Sequence, residues 1–219
     1  MPPRWLEFDE LYLPPLTIIL FLLLKKKIHK REGVLFFYCL LSVVIYSIIE
    51  VLASHKIHNL FLYNIYGLFE VWVIGYYLIL LIRNKPALLF YAGAGVYFLL
   101  WLCIIFFAGG FWNLNLYATA SGNLVLIVLC MVYLLKLSGS NEIFFFQRLP
   151  SFWIVTGFFL SSVLMLMSNL SFQYFLNINS ISEANMVFNL AYIAIIIKFV
   201  FISVGLLCYT RPASPHPSL

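Results

Sequence analysis

Charge is what this chain of 219 residues has least of: only 10% of its side chains are Asp, Glu, Lys or Arg, while 64% are hydrophobic. An ordinary soluble domain carries roughly 25% charged residues. A globule of this size could not cover its surface with so few polar groups, which excludes a soluble fold. Histidine is scarce as well. His29, His55, His58 and His216 all fall outside the apolar segments, so no buried Ser–His–acid set can be assembled. Cys39, Cys103, Cys130 and Cys208 stand far apart inside apolar segments, giving neither a CxxC centre nor a disulfide framework. They read as small buried hydrophobes. Gly-rich phosphate loops, EF-hands and cytochrome-like CxxCH runs are missing, and no long polar stretch remains for a soluble catalytic domain. An enzyme is therefore disfavoured, and no catalytic set is expected. Glu50 with His55 and His58 offers zinc-type side chains, but in no recognised order, and no metal site is assigned.

What remains is apolar sequence that can be cut at charges, glycines, prolines and polar runs into seven segments. These predict an all-α, seven-transmembrane helix bundle forming one domain over 1–219, with spans near 11–24, 33–53, 60–82, 87–108, 117–137, 151–170 and 186–209. Six approach the ~20 residues that cross a bilayer core about 30 Å thick; the first is short. Its Pro14–Pro15 pair is expected in the opening turn, where a missing N–H costs nothing. A lipid-surface segment followed by six spans is the alternative for this region. Pro150 is expected to start the sixth helix, with Ile143–Phe146 lying flat on the membrane before it.

Lys and Arg set the orientation. Alternate loops hold ten on one side, led by Lys25, Lys26, Lys27, Lys30 and Arg31, against Arg4 and Lys56 on the other. This bias predicts an external N-terminus and a cytoplasmic C-terminus. The basic excess is a membrane-anchoring feature, which speaks against nucleic acid as a partner and for lipid. A cleaved signal peptide would carry its positive charges before the apolar run, whereas here they follow it. Trp5 and Trp112 fit interfacial belts, and Asn169-Leu170-Ser171 meets the glycosylation pattern on the outer side.

The two charges inside spans carry the functional reading. Glu70 is ten residues inward from the outer end of the third span, about 15 Å, and Lys198 twelve residues inward on the seventh, about 18 Å. Similar depth predicts that the two meet, because an isolated charge there costs roughly 2.5–3.5 kcal/mol on insertion scales. The contact is either an interhelical packing pair or a proton, ion or ligand site. Tyr63, Tyr66, Glu70 and Tyr77 recur at helical offsets with Asn64 beside them, which makes them the candidate polar site. Secondary candidates are Glu50, near the outer end of its span, Asn123, and the Asn189–Tyr192 stripe on the helix face opposite Lys198. Gly157–Ser161 predicts close helix packing, and the Ala191, Ala194, Gly205 set flanking Lys198 either permits close packing or leaves room for a ligand.

These features favour a membrane receptor or signalling component that senses a small molecule or a proton in an intramembrane polar cavity. Its partner would be a cytoplasmic or membrane signalling protein. The alternative is a proton, ion or small-solute transporter using Glu70 as relay, although no internal repeat is visible. A lipid-active enzyme and a membrane scaffold are further, lesser readings. The helix-7 lysine and helix-3 acid also give the chain a topological similarity to retinylidene proteins, which implies retinal at Lys198. That similarity stops at two residues: Ala194 stands four before the lysine, and the Arg-Tyr-x-Asp-Trp motif is missing. Over its whole length the chain resembles an uncharacterised family of small bacterial integral membrane proteins. The residues concerned are Tyr63-Asn64-Ile65-Tyr66-Gly67-Leu68-Phe69-Glu70, Pro150-Ser151-Phe152-Trp153-Ile154 with Gly157, and Lys198-Phe199-Val200-Phe201-Ile202-Ser203-Val204-Gly205-Leu206. The resemblance implies a bacterial inner-membrane location and no known activity. Where relatives carry a second acid near the start of helix 5, this chain has Ala120-Ser121 and then Asn123.

Overall fold

The computed structural model describes residues 4–24, 30–83, 88–107, 110–112, 115–139, 149–178 and 180–209. Among the described residues, seven α-helices follow one another: α1 (Arg4–Leu24), α2 (Gly33–Ser54), α3 (Leu60–Arg83), α4 (Leu88–Phe107), α5 (Leu116–Ser138), α6 (Pro150–Asn177) and α7 (Ile181–Cys208). A 3-10 turn, Lys30–Glu32, leads into α2. Among the described residues, six helices are long and apolar enough to span a bilayer, and α1 supplies a shorter apolar stretch, Tyr12–Leu24. A helix satisfies its own backbone, which is why such apolar runs fold this way where no water is available. The expected surface segment Ile143–Phe146, Lys25–Lys27 and the tail beyond Tyr209 lie outside the described residues.

Six helices close into a ring. α2 packs on α3, α3 on α5, α5 on α6, α6 on α7, α7 on α1 and α1 on α2, while α4 leans on α3 and α5 from outside. α2 shows how a helix hydrophobic all round is sorted. Leu35, Tyr38, Cys39, Ser42, Tyr46 and Ile49 face inward, whereas Phe37, Leu40, Val44, Ile48 and Val51 form the exposed stripe. Both stripes follow three- and four-residue steps. The inner one holds the hydroxyls and the outer one none, as expected when lipid is the surrounding solvent.

α6 and α7 make the most extensive contact, and two glycines allow it. A Cβ on Gly157 would come within 2.4 Å of the Phe201 Cβ, and one on Gly205 within 2.8 Å of the Pro150 carbonyl oxygen. The close approach expected of Gly157 and Gly205 is thus present. α4 is the opposite case: added Cβ atoms on Gly93 and Gly95 meet nothing. Beside it an apolar cavity of about 810 Å³ opens between α2, α3 and α4, lined by Phe37, Phe69, Trp72, Phe90 and Phe98 among others. A second cavity of about 370 Å³ lies between α3, α4 and α5.

Four expectations need correction. Pro14 and Pro15 lie inside α1, which begins at Arg4, because the polar residues ahead of the apolar stretch are also helical. α6 runs to Asn177 rather than ending near 170, since Ser171–Asn177 contains neither glycine nor proline to stop it. Asn169 is buried in the α6 wall, so its glycosylation pattern is not displayed on a loop. Cys103 is exposed on α4, unlike the buried Cys39, Cys130 and Cys208.

Candidate functional site

The Glu70 and Lys198 side chains meet inside the ring, Lys198 Nζ lying 2.5 Å from Glu70 Oε1. The lysine side chain is 5% exposed and the glutamate 17%, so both charges are largely withdrawn from solvent. α3 and α7 bring them together, although α7 begins at Ile181 rather than near 186. The third participant is Tyr38 of α2. Its hydroxyl donates to Glu70 Oε1 at 2.7 Å and accepts from Lys198 Nζ at 3.2 Å. The ring of Tyr38 is fixed by stacking on Phe199 at 6.2 Å and by an edge contact with Phe158 of α6 at 6.0 Å. The triad therefore joins α2, α3 and α7.

Its hydrogens can be assigned. Ser42 Oγ donates to the Tyr38 carbonyl at 2.9 Å, which leaves Tyr66 to donate to Ser42 Oγ at 3.0 Å. The Tyr38 and Tyr66 oxygens are 3.2 Å apart, with the Tyr38 proton already on the carboxylate. Tyr38, Lys198 and Glu70 thus form one hydrogen-bonded set, and the Tyr66–Ser42 pair lies beside it, tied to it through the Tyr38 carbonyl. Charge-assisted bonds of this kind are the stronger ones, and the network offsets part of the cost of burial.

The two sides of this set differ. One turn toward the end that carries the α2–α3 connection lie Ser42, Tyr66 and Ala194. One turn toward the basic-loop end lie Leu35, Ile74 and Ile202, each no more than 1% exposed. A three-residue step on α2 and four-residue steps on α3 and α7 put these three apolar side chains at one level. These three buried apolar side chains form a layer that separates the polar network from the basic-loop end of α2, α3 and α7.

Below that layer is a second polar cluster, which the sequence reading missed. Glu32 sits at the N-cap position of α2 without capping it, and its side chain is fully buried. Its Oε1 accepts from Tyr209 at 2.6 Å and from Arg31 Nε at 3.1 Å. Burial, followed by the Glu32 carboxylate that takes its hydrogen bond, pushes the Tyr209 phenol upward. Glu32 gave no signal because it adjoins five basic residues in what looked like a solvated loop.

The remaining candidates divide as follows. Tyr66 belongs to the Glu70 network, but Tyr77 does not: two turns further along α3 it reaches the Glu32 cluster, within electrostatic range of Glu32, Tyr209 and Arg31. Tyr63 is half-buried against the core in the first turn of α3. Asn64 is also outside the Glu70 network. Its Nδ2 donates to the Phe111 carbonyl and its Oδ1 accepts from the Asn115 backbone N–H, both at 3.0 Å. Asn115 in turn caps α5 by accepting from the Ala118 N–H at 3.0 Å, so Asn64 pins α3 to the α4–α5 connection. Asn123 bonds its own helix at the Thr119 carbonyl, and Glu50 is exposed near the C-terminal end of α2. Asn189 and Tyr192 are half-buried on α7, away from Lys198. Neither apolar cavity is lined by Glu70 or Lys198.

Comparison with family models, curated proteins and solved structures finds no match to this chain.

Proposed function

We propose that the chain is a membrane receptor or signalling component whose Glu70–Lys198–Tyr38 set is the sensing element. Protonation of the carboxylate, or a small polar ligand competing for it from the outer side, would release α7 from α2 and α3. The observation that carries this reading is the asymmetry about the pair: hydroxyls toward the α2–α3 connection, a buried apolar layer on the other side. A relay moving protons across would need polar groups on both sides, whereas a lock that repacks helices does not. A change at such a lock alters the helix ends that a cytoplasmic partner would contact.

The orientation follows from the positive loops: N-terminus outside, C-terminus in the cytoplasm, with a bacterial inner membrane as location. Seven spans are favoured over six because α1 is a member of the ring, packed on α2 and α7, with Thr17 Oγ1 lying 3.4 Å from Ser203 Oγ. Retinal at Lys198 is a minor variant of the same site, since the amine already has two partners.

The test uses full-length protein in proteoliposomes, with an outside pH step as the probe. Sensing predicts that acidification raises hydrogen exchange across α2, α3 and α7, that Glu70→Gln abolishes this response, and that no proton or ion flux accompanies it. Glu70-dependent flux would replace sensing with transport. A silent wild type would remove protonation as the trigger.

A further inference from the structure

Two of the buried polar atoms without a protein partner belong to the Glu32 cluster: Glu32 Oε2 and the Tyr77 hydroxyl. Both side chains are 0% exposed. They come from different elements, the turn before α2 and the last third of α3, which pack on one another. An acceptor and a donor buried together without partners are costly, and in folded proteins such groups are met by an enclosed water. A cation is a poorer occupant, since Arg31 already balances the Glu32 charge and the α2 N-terminus adds partial positive charge beside it.

We infer that Glu32 and Tyr77 bind a trapped water at the basic-loop end of the bundle, completing a clasp in which Tyr209 holds the end of α7 to α2 and α3. Water donates to Glu32 Oε2 and accepts from the Tyr77 hydroxyl, while Tyr209 occupies Oε1. Each carboxylate oxygen then has a donor, and every phenol in the cluster has a role. The clasp joins the same three helices as the Glu70 set, one apolar layer away. It stands whether or not Glu70 senses anything.

Tyr77→Phe decides the matter by the sign of its effect. A hydroxyl with no partner is unfavourable when buried, so its removal from a dry site leaves the clasp unchanged or tighter. Removing it from a hydrated site strips the water of its second anchor and loosens the clasp. Hydrogen exchange is read at the end of α7 in full-length protein in nanodiscs, with exchange at 66–74 as the check that the fold is intact. The expected result is several-fold faster exchange in Tyr77→Phe and about tenfold or more in Tyr209→Phe, which loses a bond to a charged group. Unchanged or slower exchange in Tyr77→Phe overturns the water, and unchanged exchange in Tyr209→Phe overturns the clasp. A wild-type density map tests the same claim without any variant: a peak bridging Glu32 and Tyr77 supports it, and apolar closure of the gap refutes it.

Discussion

Replacing Glu70 by Gln and Lys198 by Met, singly and together, gives the sharpest energetic expectation. At the observed 2.5 Å, and with an effective dielectric constant near 20, the gross attraction is about 6–7 kcal/mol. Desolvation works against it at several kcal/mol per ion, and more for Lys198 at 5% exposure than for Glu70 at 17%. The net worth of the pair is therefore small. The cost of breaking it is not, because either single substitution strands one charge among apolar side chains. Each single variant should lose about 3–5 kcal/mol, with Lys198→Met at the upper end because it leaves a carboxylate to be held by Tyr38 alone. The double variant should lose clearly less than the sum, giving a coupling energy of at least about 2 kcal/mol. Reversible unfolding in mixed detergent–lipid micelles measures all four corners of the cycle. Additive losses would refute the reasoning, since they would mean the two charges do not compensate one another.

The glycines give opposite signs by position. Gly157→Leu, forced against Phe201, should cost about 1–3 kcal/mol or more and loosen α6 from α7, whereas Gly95→Ala, facing open space on α4, should be neutral or stabilise by about 0.5–1 kcal/mol; thermal unfolding of both variants checks the contrast. Asn64→Leu should cost about 1–3 kcal/mol, read in the same assay, by leaving the Asn115 N–H without its acceptor. For Tyr209 the folded phenol titrates above the ordinary value of 10.0, so its contribution is complete below about pH 10 and is lost as pH rises further. Unfolding midpoints followed above pH 10 should fall more steeply in wild type than in Tyr209→Phe.

The contact between Glu70 and Lys198 was legible because depth can be counted along a helix, and two costly charges at one depth have few ways to be satisfied. Gly157, Gly205 and the start of α6 at Pro150 were legible for similar local reasons. Tyr38 was not, since a tyrosine in an apolar run looks like any other core aromatic until its partners are placed. Glu32 was hidden by charge context: five basic neighbours suggest solvent, whereas folding turns this one acid inward beneath Tyr209. Tyr77 shares a face with Glu70 yet serves the other cluster, because two helical turns carry it past the apolar layer. The position of α4 outside the ring was equally illegible, for a helix apolar on every side does not declare which side meets protein.

The central claim is that Glu70 and Lys198 touch within the bundle, and solid-state NMR in lipid bilayers tests it most directly. With Lys Nζ labelled in ¹⁵N and Glu Cδ in ¹³C, wild type should show a direct Lys198–Glu70 dipolar contact that vanishes in Glu70→Gln. A Lys198 amine coupled to no carboxylate in the folded wild-type protein would contradict the account.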